Sequence, residues 1–244
     1  MTSVTGTVRR MCGRYVQASS PELLAEKFGV DDAQISDHAA SYNVAPRAEV
    51  PAVRRRQDRK VLSLLRWGLV PSWAKDPKIG DRQINARAES IVDKPAYRTA
   101  FERRRCLIPA DGFYEWQPRP GQKRKQPMFV HRRDGEPMAF AGLWEVWRER
   151  EDDDWLRTCA IVTTDANELL APIHDRMPVI LPESAWDTWL DPETDEQTLR
   201  GLLIPAPDDV VVAYPVSTLV NKADHDGPEL VQRVAVEDAA SRPG

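Results

Sequence analysis

Residues 105–117 read RCLIPADGFYEWQ, two short runs with a polar turn between them. The first run, residues 105–109, is largely apolar, and the second, residues 113–117, is rich in aromatic residues that favour strands. Asp111 and Gly112 between the runs are residues that favour turns. The stretch therefore predicts two consecutive strands of a sheet.

Similar runs lie on both sides of this pair. They predict strands over residues 61–67, 128–132, 138–147, 156–163 and 210–216, and helices over residues 21–28, 166–170, 183–190 and 196–203. The strands do not alternate regularly with helices. The sequence therefore predicts one α+β domain, with a curved or barrel-like, mostly antiparallel sheet and flanking helices.

Two of the predicted helices carry capping signals. Ser20 and Pro21 suit the N-cap and first position of a helix that ends before Gly29. Asp165, with Glu168 three residues later, resembles a capping box and predicts the helix over residues 166–170.

The composition limits the class of protein. The chain has 244 residues, 41% of them hydrophobic and 30% charged, which is enough for one sizeable core. No apolar run approaches the roughly 20 residues of a membrane span, and the first residues do not resemble a secretory signal. The three cysteines and four scattered histidines fit neither a disulfide framework nor a zinc site. We expect a monomeric cytoplasmic protein without metal or cofactor.

The formal net charge of −4 argues weakly against nucleic-acid binding, but the charge is uneven. Basic clusters occur at residues 54–60, 103–105 and 122–126, and acidic residues gather at 149–154. Each cluster by itself is interpreted as a solvated loop or strand edge. A local basic face on an acidic protein stays open as the alternative.

Cys12 follows a second methionine, Met11. If translation starts at Met11, or if the preceding residues are removed, loss of Met11 makes Cys12 the N-terminus. Its free amine, with a reference pKa of about 7.7–8.0, can form an imine with an aldehyde, and its thiol can then close a thiazolidine ring. An internal cysteine cannot do this, because its nitrogen is an amide. Composition alone favours a simpler interpretation, a small residue in a first strand.

Residues 83–89 read QINARAE. Asn85 and Arg87 are two apart and share one side of an extended chain. Their amide and guanidinium donors suit a sugar oxygen and a phosphate. The alternative is a surface turn with a salt bridge between Arg87 and Glu89.

Glu115 and His174 are candidates for proton transfer. Glu115 lies between Tyr114 and Trp116, and flanking aromatic rings can exclude water from a carboxylate and favour its protonated form. His174 lies between two prolines just after a predicted helix, and a histidine moves protons at neutral pH. The alternatives are a polar sheet face for Glu115 and a structural role for His174.

Two proline-containing stretches carry flat or polar groups. Residues 67–73 read WGLVPSW and include Trp67 and Trp73, and residues 42–46 read YNVAP and include Asn43 and Pro46. Exposed aromatic rings stack on unpaired bases, and nearby arginines hold the phosphates. The alternative is core packing, since the chain has eight tryptophans.

Six motifs occur together in order: MCGRY, YNVAP, WGLVPSW, INARAES, RRCLIPADGFYEW and APIHDRMPVIL. With these motifs the chain resembles the SOS-response-associated peptidase (SRAP) family from Met11 to about Leu219. The resemblance implies a single SRAP-type α+β domain with a positively charged groove for single-stranded DNA. It also implies that Met11 is removed and that Cys12 forms a thiazolidine crosslink with the opened sugar of an abasic site.

The resemblance assigns roles to further residues. Asn85 would orient the reacting sugar or the cysteine end, and Glu115 and His174 would transfer protons. The DNA contacts that the resemblance and the aromatic pattern predict are made by Arg14, Asn43, Pro46, Trp67, Trp73, Arg87 and Arg176.

The chain departs from the family pattern in the ten residues before Met11. We expect residues 1–10 to be a mis-assigned start or a removed leader, residues 11–231 to form the domain, and residues 232–244 to be a frayed polar tail. If residues 1–10 persist, the amine of Cys12 stays in a peptide bond and the crosslink cannot form.

Two other functions remain open from the sequence. The first is a thiol peptidase that acts on other proteins, with Cys12 as nucleophile and His174 as base. The second is a module that binds single strands without a covalent link, through Trp67, Trp73 and arginines. Replacing Cys12 by alanine separates the three functions: it should abolish crosslinks in a covalent sensor, abolish proteolysis in a peptidase, and leave binding nearly unchanged in a non-covalent module. We expect the covalent sensor to associate with the nucleoid when it is bound to DNA.

Overall fold

The computed structural model describes residues 13–235, and its strands form two sheets. The strands are β1 (Tyr15–Gln17), β2 (Asp32–Ala33), β3 (Ser41–Val44), β4 (Glu49–Arg56), β5 (Arg59–Trp67), β6 (Asn85–Arg87), β7 (Arg105–Ala110), β8 (Gly112–Gln117), β9 (Gln126–Arg132), β10 (Met138–Trp147), β11 (Leu156–Asp165), β12 (Arg176–Pro178) and β13 (Val211–Pro215). The helices are α1 (Pro21–Lys27), α2 (Arg98–Arg103), α3 (Trp186–Leu190) and α4 (Glu196–Gly201).

Short 3₁₀ helices connect several of these elements. They span Pro77–Arg82, Ala88–Ser90, Glu183–Ala185, Thr218–Asn221 and Pro228–Val231.

The larger sheet closes into a barrel. Strands β11, β10, β7, β4 and β5 pair in that order, all antiparallel. The parallel contact of β5 with β11, which sets Arg66 opposite Thr158 and Trp67 opposite Cys159, completes the ring. Closure leaves these five strands without a free edge. Strands β2, β6 and β12 extend the barrel sheet at its sides.

The smaller sheet is antiparallel, in the order β13-β9-β8-β1-β3, and packs on the barrel. Tyr15 of β1 lies at the centre of this contact, with its ring 5.4 Å from Trp67 and 6.1 Å from Phe140 of the barrel. Phe113 of β8 contacts Phe140 from the same side. These buried rings hold the first strand of the described chain against the barrel.

The helices cover other barrel residues. Phe28 after α1 stacks on Trp186 of α3 with 4.4 Å between ring centroids, and Phe101 of α2 packs near Trp189. The rings join a second buried cluster with alternate residues of the barrel strands. The buried guanidinium of Arg105 donates to backbone carbonyls at the ends of α2 and α3, which fixes both helices.

This architecture confirms the predicted α+β class and barrel-like sheet. Most predicted elements are present within a few residues of the expected bounds, and Ser20 caps α1 as predicted. The helix predicted over residues 166–170 is wrong. Asp165 ends β11 opposite Arg176, and residues 168–173 form turns. Backbone pairing with β12 leaves Asp165 in a strand instead of an N-cap.

Some strands were not predicted, among them β3 and β4. The basic run 54–60 lies at the hairpin between β4 and β5, as expected for a strand edge. In residues 13–235 no helix is both long and apolar enough to span a membrane.

Candidate active site

The start of the described chain runs beside Glu115. In the β1–β8 pair Tyr15 lies opposite Phe113, and Val16 lies opposite Gly112. The N–H of Tyr114 donates to the carbonyl of Arg14 at 3.0 Å, which continues this register. One residue further, the register sets Gly13 opposite Glu115. Cys12, the predicted reactive residue, lies outside the described residues.

Glu115 is a buried carboxylate, with 3% of its surface exposed. Side chains alternate along a strand, so Glu115 shares its face with Phe113, which packs between the smaller sheet and the barrel. Tyr114 lies on the opposite face of β8, in a separate buried cluster with Phe129. Trp116 packs against that same cluster. The expectation that Tyr114 and Trp116 shield Glu115 is therefore corrected, because the burial comes from the barrel side.

Asn85 is half-buried at the start of β6, which runs parallel to β11 and sets Asn85 opposite Ile161. The indole N–H of Trp67 donates to the carbonyl of Ile84 at 2.9 Å, and the Tyr97 hydroxyl donates to the carbonyl of Asn85 at 2.9 Å. Trp67 also packs on Tyr15. The β6 strand is thus fastened to the residues that hold β1.

His174 is buried after a turn in which its N–H donates to the carbonyl of Leu170. The N–H of Arg176 donates to Nδ1 of His174 at 3.0 Å, so in the neutral ring Nδ1 is the acceptor and Nε2 carries the proton. Oδ1 of Asp175 is also 3.0 Å from Nδ1, a contact that becomes an ion pair only when the ring is protonated. The neutral ring therefore presents Nε2–H as a donor.

Arg176 ties the His174 segment to the turn after β6. Its guanidinium contacts Glu89 at 2.7 Å and Asp165 at 2.6 Å, and donates to the carbonyl of Thr163. Burial opposes ionisation of Glu89, but hydrogen bonds from its own backbone and from Arg176 outweigh this, and its pKa is lowered. These contacts fix Arg176 as a structural brace.

A second contact joins the same segment to β8. The side-chain amide of Gln117 donates to the carbonyl of Pro172 at 3.5 Å. The segments that carry Asn85, Glu115 and His174 are therefore linked to one another. We take these linked segments, together with Gly13 opposite Glu115, as the candidate active site.

The family model for the SOS response associated peptidase (SRAP) matches residues 11–223. The chain belongs to the SRAP family. This confirms the resemblance that the six motifs predict.

Similar proteins include the abasic site processing protein YoqW of Bacillus subtilis, 44% identical over 224 residues that cover 91% of this chain and 99% of YoqW. The abasic site processing protein YedK of Escherichia coli is 32% identical, with 92% of this chain and 100% of YedK covered. The chicken relative, abasic site processing protein HMCES of Gallus gallus, is 32% identical, with coverage of 91% and 73%.

Solved structures share the SRAP fold. A protein from Bacteroides thetaiotaomicron superposes with a TM-score of 0.83 at 24% identity, with 92% of this chain and 100% of that chain covered. A phage-related protein from Bordetella bronchiseptica gives a TM-score of 0.65 at 30% identity, with coverage of 84% and 94%.

Arg14 and Asn43, two residues predicted to contact DNA, form hydrogen bonds within the protein that hold residues 222–225. The guanidinium of Arg14 donates to Oδ1 of Asn43 at 2.7 Å, and burial lowers the pKa of Arg14. The buried amide of Asn43 donates to the carbonyls of Lys222 and His225 at 2.9 and 2.7 Å. Asn43 lies in β3, and Pro46 is half-buried in the turn that follows.

The predicted aromatic and basic contacts divide into buried and exposed residues. Trp67 has no exposed surface, so a base cannot reach its ring in this arrangement. Trp73 is 59% exposed and lines an open groove of about 660 Å³, whose charged residues are Lys75, Lys78 and Arg82 and the aspartates Asp76 and Asp81. Arg87 is exposed at the end of β6. Trp73 and Arg87 are thus the predicted contacts that a strand can reach directly.

Gly68 fixes the path from Trp67 towards Trp73. Its φ of +130° is disfavoured for L side chains, and an added Cβ would meet the carbonyl oxygen of Gly80 at 2.7 Å. A larger residue would therefore displace one of the two chain segments.

Two supporting residues were missed from the sequence. Tyr15 forms the ring contacts that hold β1, and Tyr97 bonds to both Gln83 and Asn85 and so fixes β6. Tyr15 stands in the MCGRY motif, from which only Cys12 and Arg14 were assigned roles. Tyr97 stands in no quoted motif, and its role depends on tertiary contact.

Proposed function

We propose that this protein processes abasic sites in single-stranded DNA and captures them covalently through Cys12, once Cys12 is the N-terminus. The relatives named abasic site processing proteins support the DNA lesion as substrate. The observation that supports the catalytic part is the β1–β8 register, which extends through Arg14 opposite Tyr114 and so sets Gly13 beside Glu115. Cys12 is the residue that precedes Gly13 in the sequence.

The proposed chemistry uses both groups of an N-terminal cysteine. The neutral amine adds to the C1′ aldehyde of the opened sugar, and loss of one water gives an imine. The thiol then adds across the C=N bond, its sulfur bonding to C1′ and a proton ending on nitrogen, to close the five-membered ring. The product is the sum of protein and DNA less one water.

The described residues supply the proton transfers. An abasic sugar is mostly a closed hemiacetal, so the ring must open by proton removal from the C1′ hydroxyl and proton delivery to O4′. Glu115 and His174 would share the roles of base and acid, each acting as acid only in its protonated form, and the Asn85 amide would orient the sugar. Proton transfer by one positioned side chain accelerates a reaction by roughly 10²–10⁴.

The residues before Cys12 must leave first. Removal of the initiator Met11, or cleavage between Met11 and Cys12, would release the amine. Self-cleavage is consistent with the peptidase in the family description. A Cys12 thiol with a nearby general base has the components that such a cleavage needs.

The DNA grip is proposed to rest on phosphates and stacking. Arg87 would contact the backbone and Trp73 would stack on a base, while Arg14, Asn43 and Pro46 shape the adjoining wall. Arg176 would act on the bound strand mainly by bracing His174. The protein would work as a monomer in the cytoplasm, at the nucleoid when bound.

The intact mass of purified protein, before and after incubation with abasic single-stranded DNA, tests the proposal. A chain that begins at Cys12 and gains the oligonucleotide mass less one water supports it. Cys12→Ser should give only an imine that borohydride traps, because it keeps the amine but not the thiol. Cys106→Ala, which removes a buried thiol, is the matched control and should crosslink like wild type.

The N-terminal extension gives a second, independent arm. Protein that still begins at Met1 should gain no DNA mass. A crosslink to such a chain would overturn the aminothiol mechanism, and proteolysis of added substrates that Cys12→Ala abolishes would favour the thiol peptidase.

A further inference from the structure

We propose that the hairpin loop between β8 and β9, residues 118–125, is a second phosphate-binding surface that grips the DNA flanking the abasic site. The inference rests on the proposed function for the identity of the lesion. It adds a contact surface outside the candidate active site and the Trp73 groove.

The loop has one sign of charge. Residues 118–125 read PRPGQKRK, with four basic residues and no acidic one. Gln122 to Lys125 are exposed. Among the residues that the structure describes, Lys123, Arg124 and Lys125 form no ion pair. The chain as a whole carries a net charge of −4, so this positive charge is a local departure.

The basic run at the β4–β5 hairpin behaves differently. There Arg55 contacts both Asp58 and Asp191, and Lys60 forms a 2.7 Å ion pair with Asp187. Its cations are in part neutralised within the protein. Those of residues 123–125 are available to an external anion.

The base of the loop is anchored, and the loop follows directly on the strand that carries Glu115. Gln117 pairs with Gln126 at the base of the hairpin, and the Gln126 amide donates to the carbonyl of Val216 at 2.8 Å. Arg119 follows Glu115 by four residues, so at most about 14 Å of extended chain separates the two.

A shallow groove of about 320 Å³ lies at the foot of the loop. Its lining includes Arg119, Arg124, Lys125 and the side of Thr218 in the neighbouring 3₁₀ helix. Guanidinium, ammonium and hydroxyl groups are the donors that phosphodiester oxygens accept from, and none of them distinguishes bases. The surface therefore fits a DNA backbone without sequence preference.

The test uses a short fluorescent single-stranded oligonucleotide whose abasic site has been reduced, so that no aldehyde exists and only non-covalent binding is measured. The variant is Lys123→Gln, Arg124→Gln, Lys125→Gln. Loss of three phosphate contacts should lower the slope of log K against log[salt] by roughly 2 and weaken binding roughly 10- to 100-fold at 0.1 M salt.

The matched control removes equal charge from the other hairpin, as Arg55→Gln, Arg56→Gln, Arg59→Gln. It should bind with nearly the wild-type salt slope, since exposed charges are screened beyond about 10 Å at 0.1 M salt. Two further oligonucleotides, duplex either on the 5′ side or on the 3′ side of the lesion, identify the flank that the loop contacts. The oligonucleotide for which the triple variant loses most affinity relative to wild type marks that flank.

Equal losses in both triple variants, or an unchanged salt slope in the β8–β9 variant, would overturn the inference. The reduced lesion keeps this result separate from the proposed crosslink. If wild-type protein never crosslinks but the salt slope still depends on residues 123–125, the proposed function fails and the phosphate surface stands.

Discussion

Nη1 of Arg14 donates to Oδ1 of Asn43 at 2.7 Å, a hydrogen bond between residues 29 positions apart. Nδ2 of Asn43 donates to the carbonyls of Val220, Lys222 and His225. Asn43 thus links the strand that begins two residues after Gly13 to the C-terminal segment over the smaller sheet. Its position makes it a clamp on the chain next to the candidate active site.

The first prediction follows from this clamp. Asn43→Ala removes the donor to the carbonyls of Lys222 and His225. It also removes one of the acceptors of Arg14, whose Nη1 still contacts the carbonyl of Val220 at 3.2 Å. Each such loss costs about 1–3 kcal/mol. We expect the free energy of unfolding in urea to fall by about 2–4 kcal/mol. Gln34→Ala, which removes an exposed amide, should change it by less than about 0.5 kcal/mol. Equal values for the two variants would refute the clamp.

The second prediction concerns Arg105, whose guanidinium donates to the carbonyls of Phe101, Glu102, Trp189 and Asp191. A lysine ammonium cannot reach all four of these acceptors, because its three N–H donors are attached to a single nitrogen atom. Arg105→Lys should therefore lower the free energy of unfolding by about 2–4 kcal/mol.

Arg103→Lys on the exposed part of α2 is the control for Arg105→Lys. Thermal and urea unfolding of both variants measure the difference. A loss below about 0.5 kcal/mol in Arg105→Lys would show that the helix ends do not need this residue.

The third prediction is an opposite pH dependence of two carboxylates. Although burial opposes it, hydrogen bonding lowers the pKa of Glu89 from 4.5, so its stabilisation is present above pH 4.5 and is lost as pH falls through the folded pKa. Burial raises the pKa of Glu145, outweighing its backbone hydrogen bond and Arg104. Its stabilisation is present below pH 4.5 and is lost as pH rises through the folded pKa.

Replacing Glu89 or Glu145 by glutamine removes that residue's contribution to the pH dependence of the unfolding free energy. Relative to wild type, Glu89→Gln should lose stability between pH 4 and pH 7, by less than about 1 kcal/mol because Glu89 is mostly exposed. Glu145→Gln should gain stability over the same range. Urea unfolding at several pH values measures both, and slopes of the same sign would contradict the assignments.

The sequence predicted what depends on local pattern. The runs at residues 138–147 and 105–109 gave strands, and Ser20, Pro21 and Gly29 gave the bounds of α1. The helix expected after Asp165 failed because cross-strand pairing with Arg176, eleven residues further along the chain, overrode a local capping signal. A capping box carries no information on whether a strand partner is present.

The residues proposed for the candidate site stay predictions from the sequence, whereas their structural supports could not be predicted. Glu115 and His174 came from short motifs, whereas the burial of Trp67 and the bracing of Glu89 by Arg176 depend on contacts between distant segments. The source of the burial of Glu115 was also misassigned. Strand alternation alone sets Tyr114 and Trp116 on the other face, so this error could have been avoided.

The last prediction tests the proton transfers. Glu115→Gln keeps the shape of a buried side chain but cannot exchange a proton, so crosslink formation at pH 7 should slow by roughly 10²-fold or more. His174→Gln should slow it similarly. Glu102→Gln, an exposed change on α2, should leave the rate unchanged. Single-turnover crosslinking with excess protein measures each rate, and unfolding curves confirm that the variants fold.

The double variant separates a shared step from independent ones. If Glu115 and His174 transfer protons in the same ring-opening step, removing the second after the first costs little, and the effects are strongly non-additive. Independent roles would multiply the two losses. An oligonucleotide whose sugar is replaced by an open-chain aldehyde needs no ring opening, so it should restore most of the lost rate. Failure of that substrate to rescue either variant would exclude ring opening as the step they assist.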